Sequence, residues 1–113
     1  MPNSSIYLRF LNLSHAVTDD WTDIDLTALR TLEAIAVADT KETPLTVTDA
    51  MNMTAIASPA TMHRKLDQLR EAGLIEQVHI GANRRTKYLV ITNKAHKYFE
   101  QLGIAMLNAM TTE

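Results

Sequence analysis

Three stretches of the sequence place apolar residues every three or four positions, the spacing of one buried helical face. The first predicts a helix from about Asp25 to Ala38, with Asp23 or Asp25 as its N-cap. Its buried stripe is Leu29, Leu32, Ile35 and Ala36. A polar run ending at Pro44 closes this helix, and a short helix capped by Thr46 is predicted over 47–53.

The second stretch begins at Ser58-Pro59, a strong helix start because serine caps and proline suits the first helical position. Its stripe is Met62, Leu66 and Leu69, and Gly73 is a suitable residue to end the helix. The third stretch predicts a helix capped by Thr92 that extends to about Met110. Its common face holds Ala95, Phe99, Leu102 and Met106.

Between these helices the pattern changes to strand. Residues 74–80 and 85–91 are rich in β-forming residues and flank a loop that contains Gly81 and Asn83, which predicts a β-hairpin. Residues 1–21 form an arm whose conformation the sequence leaves open. Its apolar residues should pack on the body of the protein or on a second copy; they are Ile6, Leu8, Phe10 and Leu11.

The order of elements predicts the fold. Two short helices joined by a tight turn are a helix-turn-helix unit, and a hairpin directly after them is a wing. We therefore expect a mainly α protein with a small β-hairpin wing (α+β), a winged helix-turn-helix of four to five helices. Its predicted parts are an arm over 1–21 and a domain over 22–110 that ends in a C-terminal helix over 92–110.

Composition excludes several classes of protein. The 113 residues fit one domain, and the absence of cysteine removes disulfides, thiolate catalysis and cysteine zinc sites. The histidines lack metal-ligand spacing, and the glycines form no phosphate-binding loop. No run approaches the roughly 20 apolar residues of a membrane span. We expect a cytoplasmic protein that is not an enzyme and has no cofactor, no metal and no membrane partner.

The charge is unevenly distributed. Residues 1–58 hold three basic and eight acidic side chains, whereas residues 59–97 hold eight basic and three acidic ones. A basic face and a chance distribution over a solvated surface both fit this asymmetry.

Residues 45–107 resemble the MarR family of bacterial winged-helix transcription regulators. The resemblance is carried by 58–66, 69–75, the Asn83-Arg84-Arg85 wing and 91–95. It implies a recognition helix over 58–72 in the major groove, a basic wing over 81–87 at the minor groove, and a homodimer built by the arm and the C-terminal helix. The family's wing usually begins with aspartate, and here Asn83 stands at that position.

At about 100° per residue, Ala60 and Arg64 lie nearly opposite Met62, with Thr61 and Gln68 on one flank and His63 on the other. With Ser58 and Lys65, these residues are the candidate DNA-binding residues of the recognition helix. Arg64 suits a paired contact to guanine, and Thr61 suits a phosphate or a thymine methyl group. The alternatives are an ion pair of Arg64 with Asp67, and plain solvation for the other charged residues.

The wing adds Arg84, Arg85 and Lys87, with no acidic residue from Gln77 to Tyr88. Arginine suits the narrow minor groove, although a hairpin tip also carries charge for solubility. Lys94 and Lys97 fit either phosphate contacts or a solvated helix face. The expected partner is double-stranded DNA, and the dimer interface is expected at Ile6, Leu8, Phe10, Leu102, Met106 and Met110.

Two other functions stay open: a winged helix that serves as a protein-interaction module, and a DNA binder in replication or mobile-element control. Regulators that resemble this chain often respond to small phenolic or aromatic effectors, but no residue set in the sequence identifies one.

Overall fold

Five α-helices and one antiparallel hairpin make up the part of the chain described by this computed structural model, residues 2–21 and 24–111. The elements are α1 (Asn3–Asp19), α2 (Leu26–Thr40), α3 (Val47–Met51), α4 (Pro59–Glu71), β1 (Ile75–Val78), β2 (Tyr88–Ile91) and α5 (Asn93–Met110). This order confirms the predicted winged helix-turn-helix architecture. The strands are shorter than predicted, because side-chain hydrogen bonds rather than strand pairing organise residues 79–87.

The helices and hairpin fall into two compact units. Residues 24–95 form one, and the other contains α1 together with the described residues from 96 onward. In the first unit, Asp25 caps α2 by accepting a 2.8 Å hydrogen bond from the backbone N–H of Ala28. The buried face of α2 consists of Ala28, Thr31, Leu32, Ile35 and Ala36.

Helix α4 packs on α2 through its predicted stripe. Met62 and Leu69 are fully buried and Leu66 is nearly so. The buried Thr31 hydroxyl bonds the α2 backbone at Thr27 and also points at the Met62 sulfur, 3.8 Å away. One face of α4 is therefore fixed by buried contacts with α2, and its opposite face is open to solvent.

The short helix α3 is held at its start by a capping box. The Thr46 hydroxyl accepts from the Asp49 N–H, and the Asp49 carboxylate accepts from the Thr46 N–H, both at 3.0 Å. The residues before α3 also join the hairpin. Leu89 donates to the Leu45 carbonyl, and Val47 donates to the Lys87 carbonyl. The wing is thereby attached to the helix-turn-helix.

The hairpin pairs Ile75 with Ile91 and Val78 with Tyr88. Helix α4 ends just before the hairpin, where Gly73 adopts φ +75°, a left-handed conformation that favours glycine. Thr92, the predicted cap, accepts from the backbone N–H of Ala95 at 3.2 Å and donates to the Gly73 carbonyl at 2.7 Å. The two ends of the hairpin are thus fastened together.

In the other unit, the arm is helical. Tyr98 and Trp21 pack edge to face with ring centroids 5.3 Å apart, and the Trp21 indole N–H donates to Gln101. The predicted face of α5 is partly wrong, because Met106 is 53% exposed whereas Tyr98, Ala105 and Ala109 are buried. Small alanines and one aromatic ring form the buried side of this helix, and the larger aliphatic side chains lie outside.

Candidate nucleic-acid interface

Helix α4 begins with the cap and proline that the sequence predicts. Ser58 has extended backbone angles and its hydroxyl accepts from the backbone N–H of Thr61, while Pro59 occupies the first turn. Met62, Leu66 and Leu69 bury one face of α4 in the core. Ala60, His63 and Arg64 are exposed to solvent. The exposed end of α4 is therefore small, polar and basic.

A chain of hydrogen bonds organises this end of the helix. The Ser58 hydroxyl donates to the Thr61 hydroxyl, and the Arg64 guanidinium donates to the same oxygen, each at 3.1 Å. Ser58, Thr61 and Arg64, named here the donor cluster, are thus brought together along one turn. Arg64 is directed toward the N-terminal end of α4 rather than toward the acidic residues further on.

Asp67 is the acidic residue nearest to these groups along the helix, and it has other partners. Its carboxylate lies 3.4 Å from His63 Nδ1 and 3.8 Å from Arg70 Nη1. The ion pair between Arg64 and Asp67 that the sequence allows is not formed. In the described chain, Arg64 is left with a hydroxyl neighbour and no carboxylate.

Lys65 makes a different contact from the one predicted. Its ammonium lies 2.6 Å from the Asp25 carboxylate, and its side chain is only 20% exposed. The hydrogen bond from Lys65, assisted by the backbone N–H of Ala28, holds the pKa of Asp25 below its ordinary value. One carboxylate therefore caps α2 and ties α4 to it. Gln68 lies beside this pair, with its amide oxygen 3.5 Å from the Lys65 ammonium.

The wing tip is shaped by two polar side chains. The Asn83 carbonyl oxygen accepts from the backbone N–H of Arg85, and its amide donates to the Thr86 hydroxyl, both at 2.9 Å. His79 Nδ1 lies 2.9 Å from the Thr86 carbonyl, a distance at which the ring N–H donates. Asparagine thus builds the turn by bonding the backbone N–H two residues further along the chain.

This turn exposes Arg84, Arg85 and Lys87 to solvent, and none of them has a carboxylate partner in the described residues. A groove of about 470 Å³ separates the wing from α3. Its lining carries no acidic side chain: it is formed by Thr46, Val47, Thr48, Gln77, Arg85, Thr86 and Lys87. Positive charge and hydroxyl groups therefore continue from the wing tip to the start of α3.

The structure distributes the predicted residues over three settings. Ser58, Thr61 and Arg64 form the donor cluster, the three basic wing residues are exposed on the hairpin, and Lys65 pairs with Asp25 with Gln68 beside it. Ala60 and His63 are exposed beside the donor cluster. Lys94 donates to the Ala72 carbonyl at the end of α4, and Lys97 is exposed.

The sequence does not reveal the role of two residues that position the candidate interface, Asp25 and Asn83. It identifies Asp25 only as a cap, since nothing local links this residue to a lysine 40 residues away. It identifies Asn83 only as a loop residue of the hairpin and as a departure from the wing pattern, not as the residue that holds the wing tip. The signal of Asn83 is nevertheless present, because asparagine commonly bonds the backbone two residues further on.

No protein-family model matches this chain, and no curated protein matches it significantly in sequence. Comparison of structures does find similar folds. A transcriptional regulator, Tm0710 of Thermotoga maritima, superposes with a TM-score of 0.69 at 19% identity, over 93% of this chain and 70% of that one. RV1404 of Mycobacterium tuberculosis gives a TM-score of 0.65 at 20% identity, over 88% of this chain and 65% of that one.

MarR of Staphylococcus aureus, solved with salicylate and kanamycin, gives a TM-score of 0.60 at 22% identity, over 96% of this chain and 68% of that protein. This chain thus spans about two thirds of the length of these neighbours. The fold is that of MarR-like regulators, which confirms the resemblance drawn from residues 45–107. Across residues 2–21 and 24–111, no helix is long and apolar enough to cross a membrane.

Proposed function

We propose, from the premise of a MarR-like winged-helix fold, that this protein is a bacterial transcription regulator that binds double-stranded DNA sequence-specifically and is not an enzyme. One observation carries the proposal: both surfaces that a winged helix presents to DNA display cations without carboxylate partners in the described chain. These cations are Arg64 on α4 and Arg84, Arg85 and Lys87 on the wing. Such a regulator acts in the cytoplasm, where bacterial DNA lies.

The recognition helix enters the major groove by its N-terminal end. Ala60 leaves room for a close approach, and the donor cluster faces acceptors on bases or phosphates. His63 lies on the flank of the same turn. Glu71, at the far end of α4, is exposed and acidic. Its charge is repelled by the phosphates, so the helix approaches DNA tilted, with the N-terminal end deepest.

The wing contacts the minor groove. Arg84 and Arg85 stand at the tip of a turn that Asn83 holds in shape, which lowers the entropy lost when they are ordered on DNA. Arginine is favoured in a narrow minor groove because the potential there is strongly negative. Lys87 lies nearer the body of the wing and neutralises a phosphate. The groove between the wing and α3 extends this positive surface.

A homodimer presents two such interfaces. Seven of the ten large apolar side chains that are exposed in the described chain belong to the unit built from α1 and α5. They are Tyr7, Leu8, Leu13, Ile104, Met106, Leu107 and Met110. Of the interface residues predicted from the sequence, Leu8, Met106 and Met110 are exposed, and Ile6, Phe10 and Leu102 are half-buried. A concentration of apolar side chains of this kind is typical of an association surface.

Two-fold symmetry then sets the form of the DNA site. Two identical recognition helices read two inverted half-sites about one helical turn, or about 10 base pairs, apart. The expected operator is nearly palindromic.

Fluorescence anisotropy tests the proposal. A labelled duplex from upstream of the gene competes with scrambled duplex across a salt series, with Arg64→Ala and Arg85→Ala in parallel and Arg30→Ala as the matched control. Arg30 is an exposed arginine of α2 outside both surfaces. We expect sequence-dependent binding that is weakened in the first two variants and unchanged in the control. Each phosphate contact contributes about 0.9 to the salt slope, so removing one per protomer lowers a dimer's slope by about 1.8.

The same experiment separates DNA binding from protein interaction. Weak binding that is insensitive to salt and to all three substitutions would favour the protein-interaction module. Strong, salt-sensitive binding without preference for the regulatory duplex would contradict sequence-specific regulation and leave DNA binding itself supported; the genes that neighbour this one distinguish a regulator from a DNA binder in replication or mobile-element control.

A further inference from the structure

The hydrogen bonds within the donor cluster fix the direction of the remaining proton. The Thr61 hydroxyl oxygen accepts from Ser58 and from Arg64. A hydroxyl oxygen has two acceptor lone pairs and one proton, so both lone pairs are used and its own proton is available only for an outside acceptor. Arg64 has donors and no acceptor. Together these two side chains therefore offer hydrogen-bond donors and nothing else.

Within the donor cluster, Arg64 faces the bases rather than the phosphates. At about 100° per residue, Arg64 stands roughly 200° from the buried Met62, the centre of the exposed face of α4. Thr61 and His63 lie about 100° to either side of Met62, on the flanks. When a helix lies in the major groove, the centre of its exposed face is directed at the base edges and its flanks at the backbones.

A surface that only donates discriminates between base pairs. Guanine presents two acceptors in the major groove, N7 and O6, and arginine matches both at once. Adenine presents one acceptor beside an amino donor, and cytosine presents an amino donor, so each of these leaves two donors facing one another. Thymine offers a single acceptor. Guanine is therefore the base that offers an acceptor to both donors of the arginine and places no donor against them.

We propose that Arg64, oriented by the Ser58–Thr61 hydroxyl pair, specifies one guanine in each half-site of the operator through contacts to N7 and O6. This inference rests on the proposed function and goes further, because it assigns a base to a residue. Thr61 acts as a positioning residue, because its oxygen restrains the guanidinium.

The test begins with selection of binding sites from random duplexes by the full chain. Each guanine of one half-site is then replaced by 7-deazaguanine, which lacks the N7 acceptor, or by inosine, which keeps N7 and O6 and lacks only the minor-groove amine. Anisotropy is measured at low salt, where phosphate contacts keep the variants bound. The variants are Arg64→Ala and Thr61→Val. Their controls are Arg30→Ala and Thr40→Val, at exposed positions of α2.

For the unsubstituted protein, replacing the specified guanine by adenine should weaken binding roughly 5- to 150-fold. 7-Deazaguanine should also weaken it, and inosine should have little effect. Arg64→Ala should bind the normal and 7-deaza duplexes equally, and Thr61→Val should reduce the discrimination in part. Neither control should change it. Thr61→Val retains the backbone N–H that Ser58 caps, so the start of the helix is preserved.

Three results would overturn the inference. These are indifference of the unsubstituted protein to 7-deazaguanine at every position, discrimination that survives Arg64→Ala, and loss of all low-salt binding by a folded Arg64→Ala variant. If the selected sites bind well and one of these results is found, the regulator proposal stands and the guanine contact fails. If selection enriches no sequence, the proposed function fails and the inference fails with it.

Discussion

Lys65 is expected to stabilise the protein without contacting DNA, although its position in the recognition helix suggests a phosphate contact. The perturbation is Lys65→Met, which removes the ammonium and keeps a side chain of similar length. In the structure the ammonium lies 2.6 Å from the Asp25 carboxylate, with 20% of the lysine and 48% of the aspartate side chain exposed. The pair is therefore partly shielded from solvent.

The free energy that the Lys65–Asp25 pair contributes lies between those of two known classes of interaction. Exposed ion pairs contribute about 0.2–1 kcal/mol, and hydrogen bonds to charged groups contribute about 1.5–3 kcal/mol. For a pair half open to water we expect the free energy of unfolding to fall by about 1 kcal/mol. In a domain of this size that corresponds to a decrease in Tm of about 4 °C.

The assay is urea and thermal unfolding of Lys65→Met, Asp25→Asn and the double variant. Asparagine retains the ability to cap α2, so Asp25→Asn removes the ion pair alone, whereas Asp25→Ala loses the cap as well, at a further cost of about 1 kcal/mol. The double variant should be hardly less stable than either single one, because both remove the same interaction.

Acid provides an independent check. The pKa of Asp25 is lowered from 3.8 in the folded protein. Its stabilising contribution is therefore complete above the unfolded value and is lost as pH falls from there through the folded pKa. The difference in stability between the unsubstituted protein and Lys65→Met should be constant near neutral pH and should disappear in strong acid.

DNA binding decides between the two roles. Lys65→Met should leave the salt slope unchanged, whereas removal of one phosphate contact from each protomer of a dimer would lower it by about 1.8. A reduced slope together with unchanged unfolding would show that Lys65 contacts DNA and does not stabilise the fold through Asp25, and the reasoning would be refuted.

Three further outcomes are expected. Met62→Ala should lower the free energy of unfolding by about 2–5 kcal/mol because Met62 is fully buried, and Leu26→Ala, at a 72% exposed position, should change it little; similar losses in urea unfolding would contradict the predicted core. Asn83→Ala should weaken DNA binding with little loss of stability, because it removes both side-chain hydrogen bonds that shape the wing tip. An unaltered affinity would mean that the turn keeps its shape without these bonds. Leu107→Glu, at a 63% exposed position, should shift the protein toward monomer in light scattering, and an unchanged mass would place the interface elsewhere.

The recognition helix shows how far local pattern reaches. Ser58, Pro59 and the stripe that includes Met62 are all read within one or two turns, and the structure confirms each of them. The arm shows the limit. Its apolar residues fit helix and strand about equally, and its helical state accompanies packing within the unit that also contains Tyr98 and Trp21. A period alone does not decide between these outcomes when the stretch is short and apolar.

What the sequence by itself determined is the order of elements, their caps and the buried face of α4, because caps and helical stripes depend on residues three or four positions apart. Only the tertiary structure decided how the basic residues divide. It joined Lys65 to Asp25, gave Asp67 to His63 and Arg70, and left Arg64 with a hydroxyl. The Lys65–Asp25 pair depends on the packing of α4 on α2, which brings together groups 40 positions apart in sequence. Asp67 and Arg64 have several possible partners three or four positions away on the same helix, so spacing alone does not select among them.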